Sequence, residues 1–406
     1  MIEQYSSRIT DRKLKIENDN ELENLDFMQS FDIECLCFSQ CANIGTRLKL
    51  KTVKQLTFEQ CNIHSVQKLQ LENLEVLKIK DQLKYGQYDY KFVQHLTQFS
   101  KLKELCISGY RDLNIDNISQ MVELKIIKLE YCDLKYVDAL RQLTKLVEVH
   151  LTGNKNININ SLKYLNLDVL DLTYCNIIQI DCLILIANLK ELYLKNNYIQ
   201  DISPLQYLTQ LEILQLSNCN LTNIQYLKTL TKLTKLNIHG NNKIDITPVQ
   251  FLNKLIVLDI SNCELYNIDS LRPLVNLEQL QMKRNSIVYI QPLQKLQKLT
   301  QLQANGNVLT DTQTIELLPN YNSFQLSIQL IARNEELKYA NNYRDIQAPI
   351  TALRNITAKY IRYKKNLVVA IYKINNCQQQ QFQSQIQFTQ QVAVLFQKLN
   401  SQFGYQ

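Results

Sequence analysis

Apolar positions in this chain recur every 22 residues. From Leu189 through Leu211, Leu233, Leu255, Leu277 and Leu299 one phrase restarts: Leu-x-x-Leu-x-Leu-x-x-(Asn or Cys)-x-(Leu or Ile). Its central Leu-x-Leu alternates as a strand with one buried face must, and the flanking apolar residues turn the chain inward on either side. A unit this short cannot bury its own apolar face and must stack on copies of itself. The phrase continues upstream at Leu167, Leu146, Leu124, Leu102, Leu74, Val53 and Ile33, with a worn copy from Asp11 through Leu14 and Ile16. One period past Leu299, Tyr321-x-x-Phe324-x-Leu326-x-Ile328-x-Leu330 keeps only strand alternation and reads as a closing edge. Residues 1–331 are therefore expected to form about fourteen repeats plus a terminal strand, with a longer repeat at 74–101.

The expected fold is an α/β solenoid, a horseshoe whose strands pair as a parallel sheet on the concave side. Fourteen strands ~4.8 Å apart would span roughly 60 Å. On the convex side, Asp201-Ile-Ser203-Pro204-Leu205 and Asp245-Ile-Thr247-Pro248-Val249 put Ser or Thr where a cap belongs and Pro at the first position of a turn. Each return is expected to be a short helical or 3₁₀ turn. Stretches such as Leu189-Lys-Glu-Leu192-Tyr-Leu194-Lys-Asn-Asn197-Tyr-Ile199-Gln-Asp-Ile202-Ser-Pro204-Leu205 resemble the short leucine-rich repeat subclass typified by the nuclear regulatory subunit of protein phosphatase 1 and seen also in internalins. The resemblance covers about four-fifths of the chain and implies the horseshoe and a binding scaffold. Members of the subclass bind unrelated partners. In the phosphatase regulators the concave face binds, with a more acidic and aromatic set of residues than this chain carries.

The Asn or Cys position calls for a polar side chain, because it lies beneath a tight loop whose inward backbone groups need partners. The type alternates: Cys132, Asn154, Cys175, Asn197, Cys219, Asn241, Cys263, Asn285. The third residue keeps the same double period, apolar at Ile126, Val169, Ile213 and Val257 and polar at Glu148, Glu191, Lys235 and Gln279, and Pro204, Pro248 and Pro292 are 44 residues apart. Duplication of a 44-residue, two-repeat unit accounts for all three patterns.

Of eleven cysteines, six (Cys41, Cys61, Cys132, Cys175, Cys219 and Cys263) fall on that position, where a thiol is a small, weak donor. Cys35, Cys37 and Cys41 have neither a second half-site nor a nearby His, so no metal site is expected, and no cofactor. The opening residues Met1 to Arg8 lack the apolar core of a signal peptide, and runs such as Leu367 to Tyr372 fall far short of the ~18 residues that span a bilayer. A reducing compartment is expected, the cytoplasm or alternatively the nucleus, with free thiols.

The net charge of +7 belongs to the tail: residues 326–406 hold ten Lys or Arg and three Asp or Glu, leaving 35 of each elsewhere. There Ile350, Leu353, Tyr360, Leu367, Ile371 and Ile374, and then Phe382, Ile386, Val392, Leu395, Leu399 and Phe403, recur at helical spacings. Residues 332–406 are expected to be a basic, Gln-rich α-helical hairpin or coiled-coil tail that caps the array or self-associates. The alternative reading makes it a tether to an anionic surface, membrane lipid or nucleic acid.

No phosphate-binding loop, metalloprotease, nucleophile-elbow or kinase signature occurs. His150 and His239 sit at strand positions expected to be exposed, and Cys377 has no acid or base beside it to activate a thiolate. The expected function is therefore a non-enzymatic protein-protein interaction scaffold, a regulatory subunit for example, with a protein partner on the concave face. Its outward positions are Lys128, His150, Asp171, Tyr193, Gln215, Asn237, Asp259 and Gln281 in one row. Beside them run Glu130, Thr152, Thr173, Lys195, Ser217, His239, Ser261 and Lys283, with Tyr131 and Tyr174 at the edge. Aromatics in a mixed-charge row suit protein more than nucleic acid, which would call for Lys and Arg. The longer repeat carries Tyr85-Gly-Gln-Tyr88-Asp-Tyr90, and insertions of this kind project from a solenoid.

Overall fold

The computed structural model describes residues 5–19, 26–41, 44, 49–61, 69–80 and 90–310. The chain divides into two compact units, Met1–Cys263 and Glu264–Gln406. In the first, twelve strands among the described residues follow chain order: β1 (Lys13–Glu17), β2 (Cys35–Ser39), β3 (Gln55–Glu59), β4 (Val76–Lys80), β5 (Glu104–Ser108), β6 (Ile126–Glu130), β7 (Glu148–His150), β8 (Val169–Asp171), β9 (Glu191–Tyr193), β10 (Ile213–Gln215), β11 (Lys235–Asn237) and β12 (Val257–Asp259). Each lies parallel to the next. The second unit contributes β13 (Gln279–Gln281) and β14 (Gln301–Gln303), also parallel. The register is the repeat itself, with Leu192, Leu214, Leu236 and Leu258 standing opposite one another. All four are at most 1% exposed, so the column is one continuous strip of core. This is a solenoid of leucine-rich repeats.

The returns are 3₁₀ turns, most of them five residues long, such as Ser203–Tyr207, Gln225–Thr229 and Thr247–Phe251. Their caps differ from expectation. Ser203 and Thr247 do not cap; the residue two places earlier does, because Asp201 and Asp245 accept the N–H groups of Ser203 and Thr247 at 2.8 and 2.9 Å. The same reach recurs from Asn114 to Asp116, Asn158 to Asn160 and Asn223 to Gln225. A short Asx side chain mimics a backbone turn in this way, and Pro then follows where no N–H is needed.

The ladder position closes the loop at the other end of each strand. Asn197 accepts the N–H groups of Cys175 and Ile177 at 3.1 and 2.8 Å and donates to the carbonyls of Leu172 and Leu194. Asn154 does the same for Cys132 and Leu134, and Asn241 for Cys219 and Leu221. Where the ladder residue is Cys, its thiol donates to carbonyls, as Cys219 does to Leu194 at 3.0 Å. Burial pushes that thiol up to about 11, against the pull of the backbone groups of Asn197 and Asn196. The alternation is not a packing requirement. Cys41 and Cys61 are consecutive ladder thiols, while in the second unit Asn307 follows Asn285 and accepts the Ile287 N–H at 3.1 Å.

In the longer repeat a nine-residue 3₁₀ segment, Tyr90–Gln98, replaces the usual five. Phe92 there meets Tyr110, which fills the ladder place, edge-on at 5.3 Å. The tyrosines at 85 and 88, the terminal strand at 321–330, the boundary near 331 and the helical tail lie outside the described residues. Among the described residues no helix is long and apolar enough to cross a membrane.

Leu214→Ala or Leu236→Ala should lower stability by ~2–5 kcal/mol in urea unfolding, since each leaves a cavity in the core strip. Asn241→Ala strands two amides and should cost ~2–5 kcal/mol, whereas Cys219→Ala, which removes a weaker bonding group, should cost about 1 kcal/mol. Equal losses for those two would mean that the ladder acts by volume alone.

Candidate functional site

Alternate side chains of a strand point away from the core, so every strand fills fixed places on the open face of the sheet. The register turns the expected binding residues into a true row: Lys128 stands opposite His150, then Asp171, Tyr193, Gln215, Asn237 and Asp259 in succession. Gln281 holds the equivalent place on β13 in the second unit. Lys195 and His239 lie two residues farther along their chains than Tyr193 and Asn237.

Not all of these side chains are free to bind. Asp171, Asn237 and Asp259 each accept the N–H two residues on, from Thr173, His239 and Ser261, at 2.8 to 2.9 Å. They cap the strand ends. Ser217 and Ser261, expected to face outward, are only 2% and 3% exposed.

His150 also departs from the exposed position expected of it, with a side chain only 16% exposed. Its Nδ1 lies 3.8 Å from Asp171 Oδ2 and its Nε2 3.7 Å from Glu148 Oε2. Both distances are too long for a good hydrogen bond, but they set the imidazole between two carboxylates. Burial opposes the charge on Asp171, yet the adjacent His150 imidazole and the bond from Thr173 outweigh it and hold the carboxyl below its usual value. One strand on, the Tyr193 hydroxyl donates to Glu191 at 2.6 Å. Burial and that carboxylate raise the phenol above its ordinary range.

Tyr131 and Tyr174 are placed in an unusual way. Both have left-handed backbone, with φ of 54° and 59°, and both are exposed, at 55% and 48%. The same place is held by Gly153, Asn196, Asn218, Gly240 and Asn262, residue types that tolerate positive φ, and by Gln40, Gln60 and Arg284, which like the tyrosines do not favour it. A bulky ring there costs about 1–3 kcal/mol. The Tyr131 ring recovers part of this by lying across Gly153, where an added Cβ would fall 2.3 Å from a ring carbon.

A second exposed feature escaped the sequence reading. Tyr164, Leu185, Tyr207 and Phe251 each end a 3₁₀ turn, and they are 52–65% exposed on the return side. Arg141 lies over the Tyr164 ring at 4.4 Å. The signal was present in the column, since Gln98, Gln120 and Gln142 fill the same place in earlier repeats. Cys35 and Cys37 sit on the open face of β2 and Cys41 in the buried ladder, so the three do not converge.

Residues 209–254 match the family described as Leucine Rich repeats (2 copies). The crystal structure of an internalin (inlF) from Listeria monocytogenes is similar, at 26% identity and a TM-score of 0.54, over 64% of this chain and 74% of the internalin. The TLR13–ssRNA13 complex is similar in fold, at 18% identity and a TM-score of 0.52, over 74% of this chain and 51% of that one. Among curated proteins none matches. Register, ladder and these likenesses together define a leucine-rich repeat protein.

The depressed Asp171 carboxyl contributes stability that is complete above the ordinary carboxylate range of about pH 4 and is lost as pH falls through its folded-state value. Urea unfolding from pH 5 down to pH 2.5 should therefore decline less steeply for Asp171→Asn than for the unaltered chain. Parallel slopes would show that Asp171 is not stabilised by its neighbours.

Proposed function

We propose that this protein is a non-enzymatic interaction scaffold that holds a partner protein on the open sheet face of its first unit. The centre of that face is Tyr131, Tyr174 and Tyr193, with Lys128, His150 and Lys195 around them. The carrying observation is the pair of exposed aromatic rings, Tyr131 and Tyr174, held in left-handed backbone at a place that other repeats fill with Gly, Asn, Gln or Arg but with no other aromatic among the described residues. Solvent-exposed rings return little folding energy for that strain, whereas exposed aromatics are the usual anchors of protein interfaces. Gln215 and His239 extend the contact. Asp171, Asn237 and Asp259 shape it through the backbone they cap.

The TLR13 structure holds an RNA, but the charges on this face argue against an RNA there. Glu130, Glu148, Asp171 and Glu191 outnumber Lys128 and Lys195 across β6–β9 and would repel a phosphate backbone. A regulatory subunit, which positions another protein without chemistry of its own, fits the same face. The compartment that suits it is a reducing one, cytoplasmic or nuclear, because Cys132, Cys175 and Cys219 donate S–H bonds that oxidation would remove.

The test is affinity capture from cell extract with the full chain, identification of the bound protein, and calorimetry with Tyr131→Asn/Tyr174→Asn. Binding should weaken at least tenfold, about 1.4 kcal/mol, while Tm stays level or rises because Asn accepts positive φ. Unchanged affinity would move the site off this part of the face.

A further inference from the structure

We propose that the open face of β1–β4 receives a short acidic peptide segment of a protein partner. The proposal rests on reading the open face as a protein-binding surface, and it adds to that surface a second subsite of opposite charge. A depression of about 840 Å³ lies over these four strands, the size of a site that encloses a small ligand or a few residues of peptide. Its lining carries five cations, Arg8, Lys13, Lys15, Lys78 and Lys80, against two carboxylates, Glu17 and Glu59.

The register arranges these charges in two banks. Lys13 and Lys15 stand on β1 opposite Cys35 and Cys37, while Lys78 and Lys80 stand on β4 opposite Thr57 and Glu59. The banks are three strand spacings apart, about 14 Å, with a floor of Cys35, Cys37, Gln55 and Thr57 between them. Part of the charge is taken up locally: Lys15 pairs with Glu17 at 2.5 Å, Lys78 with Glu104 at 3.0 Å and Lys80 with Glu59 at 3.9 Å. Arg8 and Lys13 are exposed and have no carboxylate within ion-pair distance among the described residues. The depression therefore keeps unneutralised positive charge.

The neighbouring strands limit what can fill it. Beyond β4 the sign reverses, with Glu104 on β5, Glu130 on β6 and Glu148 on β7. A nucleic acid laid across the strands would carry its phosphates onto those carboxylates. An extended peptide rises ~3.3 Å per residue, so the basic stretch accommodates about four or five acidic residues before the charge turns against them. The face thus selects an anion of limited length and favours basic or aromatic residues after it.

Fluorescence anisotropy of a labelled pentaglutamate peptide with the full chain tests this directly. At 50 mM salt the peptide should bind, weakening at least fivefold at 300 mM as exposed charges are screened. Lys13→Glu/Lys80→Glu should weaken binding at least tenfold, and Lys13→Gln/Lys80→Gln at least threefold, with unchanged circular dichroism. Lys128→Glu/Lys195→Glu and Tyr131→Asn/Tyr174→Asn should stay within twofold of the unaltered chain. That last variant separates the two readings, since failure at the tyrosines would leave peptide binding intact. Undiminished binding in both Lys13/Lys80 variants, or equal loss in the Lys128/Lys195 control, would overturn the proposal. So would a 20-nucleotide single strand that binds more tightly than the peptide and is lost with the same lysines, which would assign the depression to nucleic acid.

Discussion

The structure depends on how buried backbone amides are satisfied where each strand turns away from the sheet. A parallel sheet of such short repeats has a loop under every strand end, and the inward N–H groups of that loop are out of reach of water. Asn154, Asn197 and Asn241 each meet this with one amide, accepting two N–H groups from the preceding repeat and donating to two carbonyls. Three of the four bonds cross to the preceding repeat, while the fourth, to Leu151, Leu194 or Ile238, stays within its own, so the repeats cohere through polar groups as well as through leucines. Alternating with these asparagines, the thiols of Cys132, Cys175 and Cys219 donate more weakly to carbonyls of the preceding repeats. Because like follows like at Cys41 and Cys61, and again at Asn285 and Asn307, the alternation reflects the history of the chain more than its stereochemistry.

With the core fixed in this way, the open face is released from structural duty at some places and not at others. Asp171, Asn237 and Asp259 stand half-buried on the row and spend an oxygen on the backbone. Tyr131 and Tyr174 are the reverse case, tolerated by the fold at a cost in backbone strain and open to solvent. The charges are sorted along the same face, basic over β1–β4 and acidic over β5–β9. A surface with aromatic anchors at one place and opposite charges at another discriminates partners by sign as well as by shape.

The sequence alone determined the repeat, the parallel register, the 3₁₀ or helical returns and the ladder. Each of these is set by neighbours at a fixed 22-residue spacing, so a column of the sequence is also a column of the structure. For the same reason the row from Lys128 to Asp259 could be written down in advance. The turn caps were legible too, in the Asn or Asp two residues ahead of turns such as those at Asp116, Asn160, Ser203, Gln225 and Thr247, although Ser203 and Thr247 are themselves residue types that cap.

Only the tertiary structure decided which places on that row are free. Exposure at a sheet position depends on what packs around it, which is not written in the column: Ser217 and Ser261 are covered, and His150 is sheltered beside Glu148 and Asp171. The positive φ of Tyr131 and Tyr174 is hinted at only by the Gly and Asn of their column, not by the tyrosines themselves, because the loop geometry is imposed by hydrogen bonds such as those from Tyr131 N–H to Thr152 and from Tyr174 N–H to Lys195 on the next repeat. Periodicity fixes where a residue stands, and contacts between repeats fix what it is able to do there.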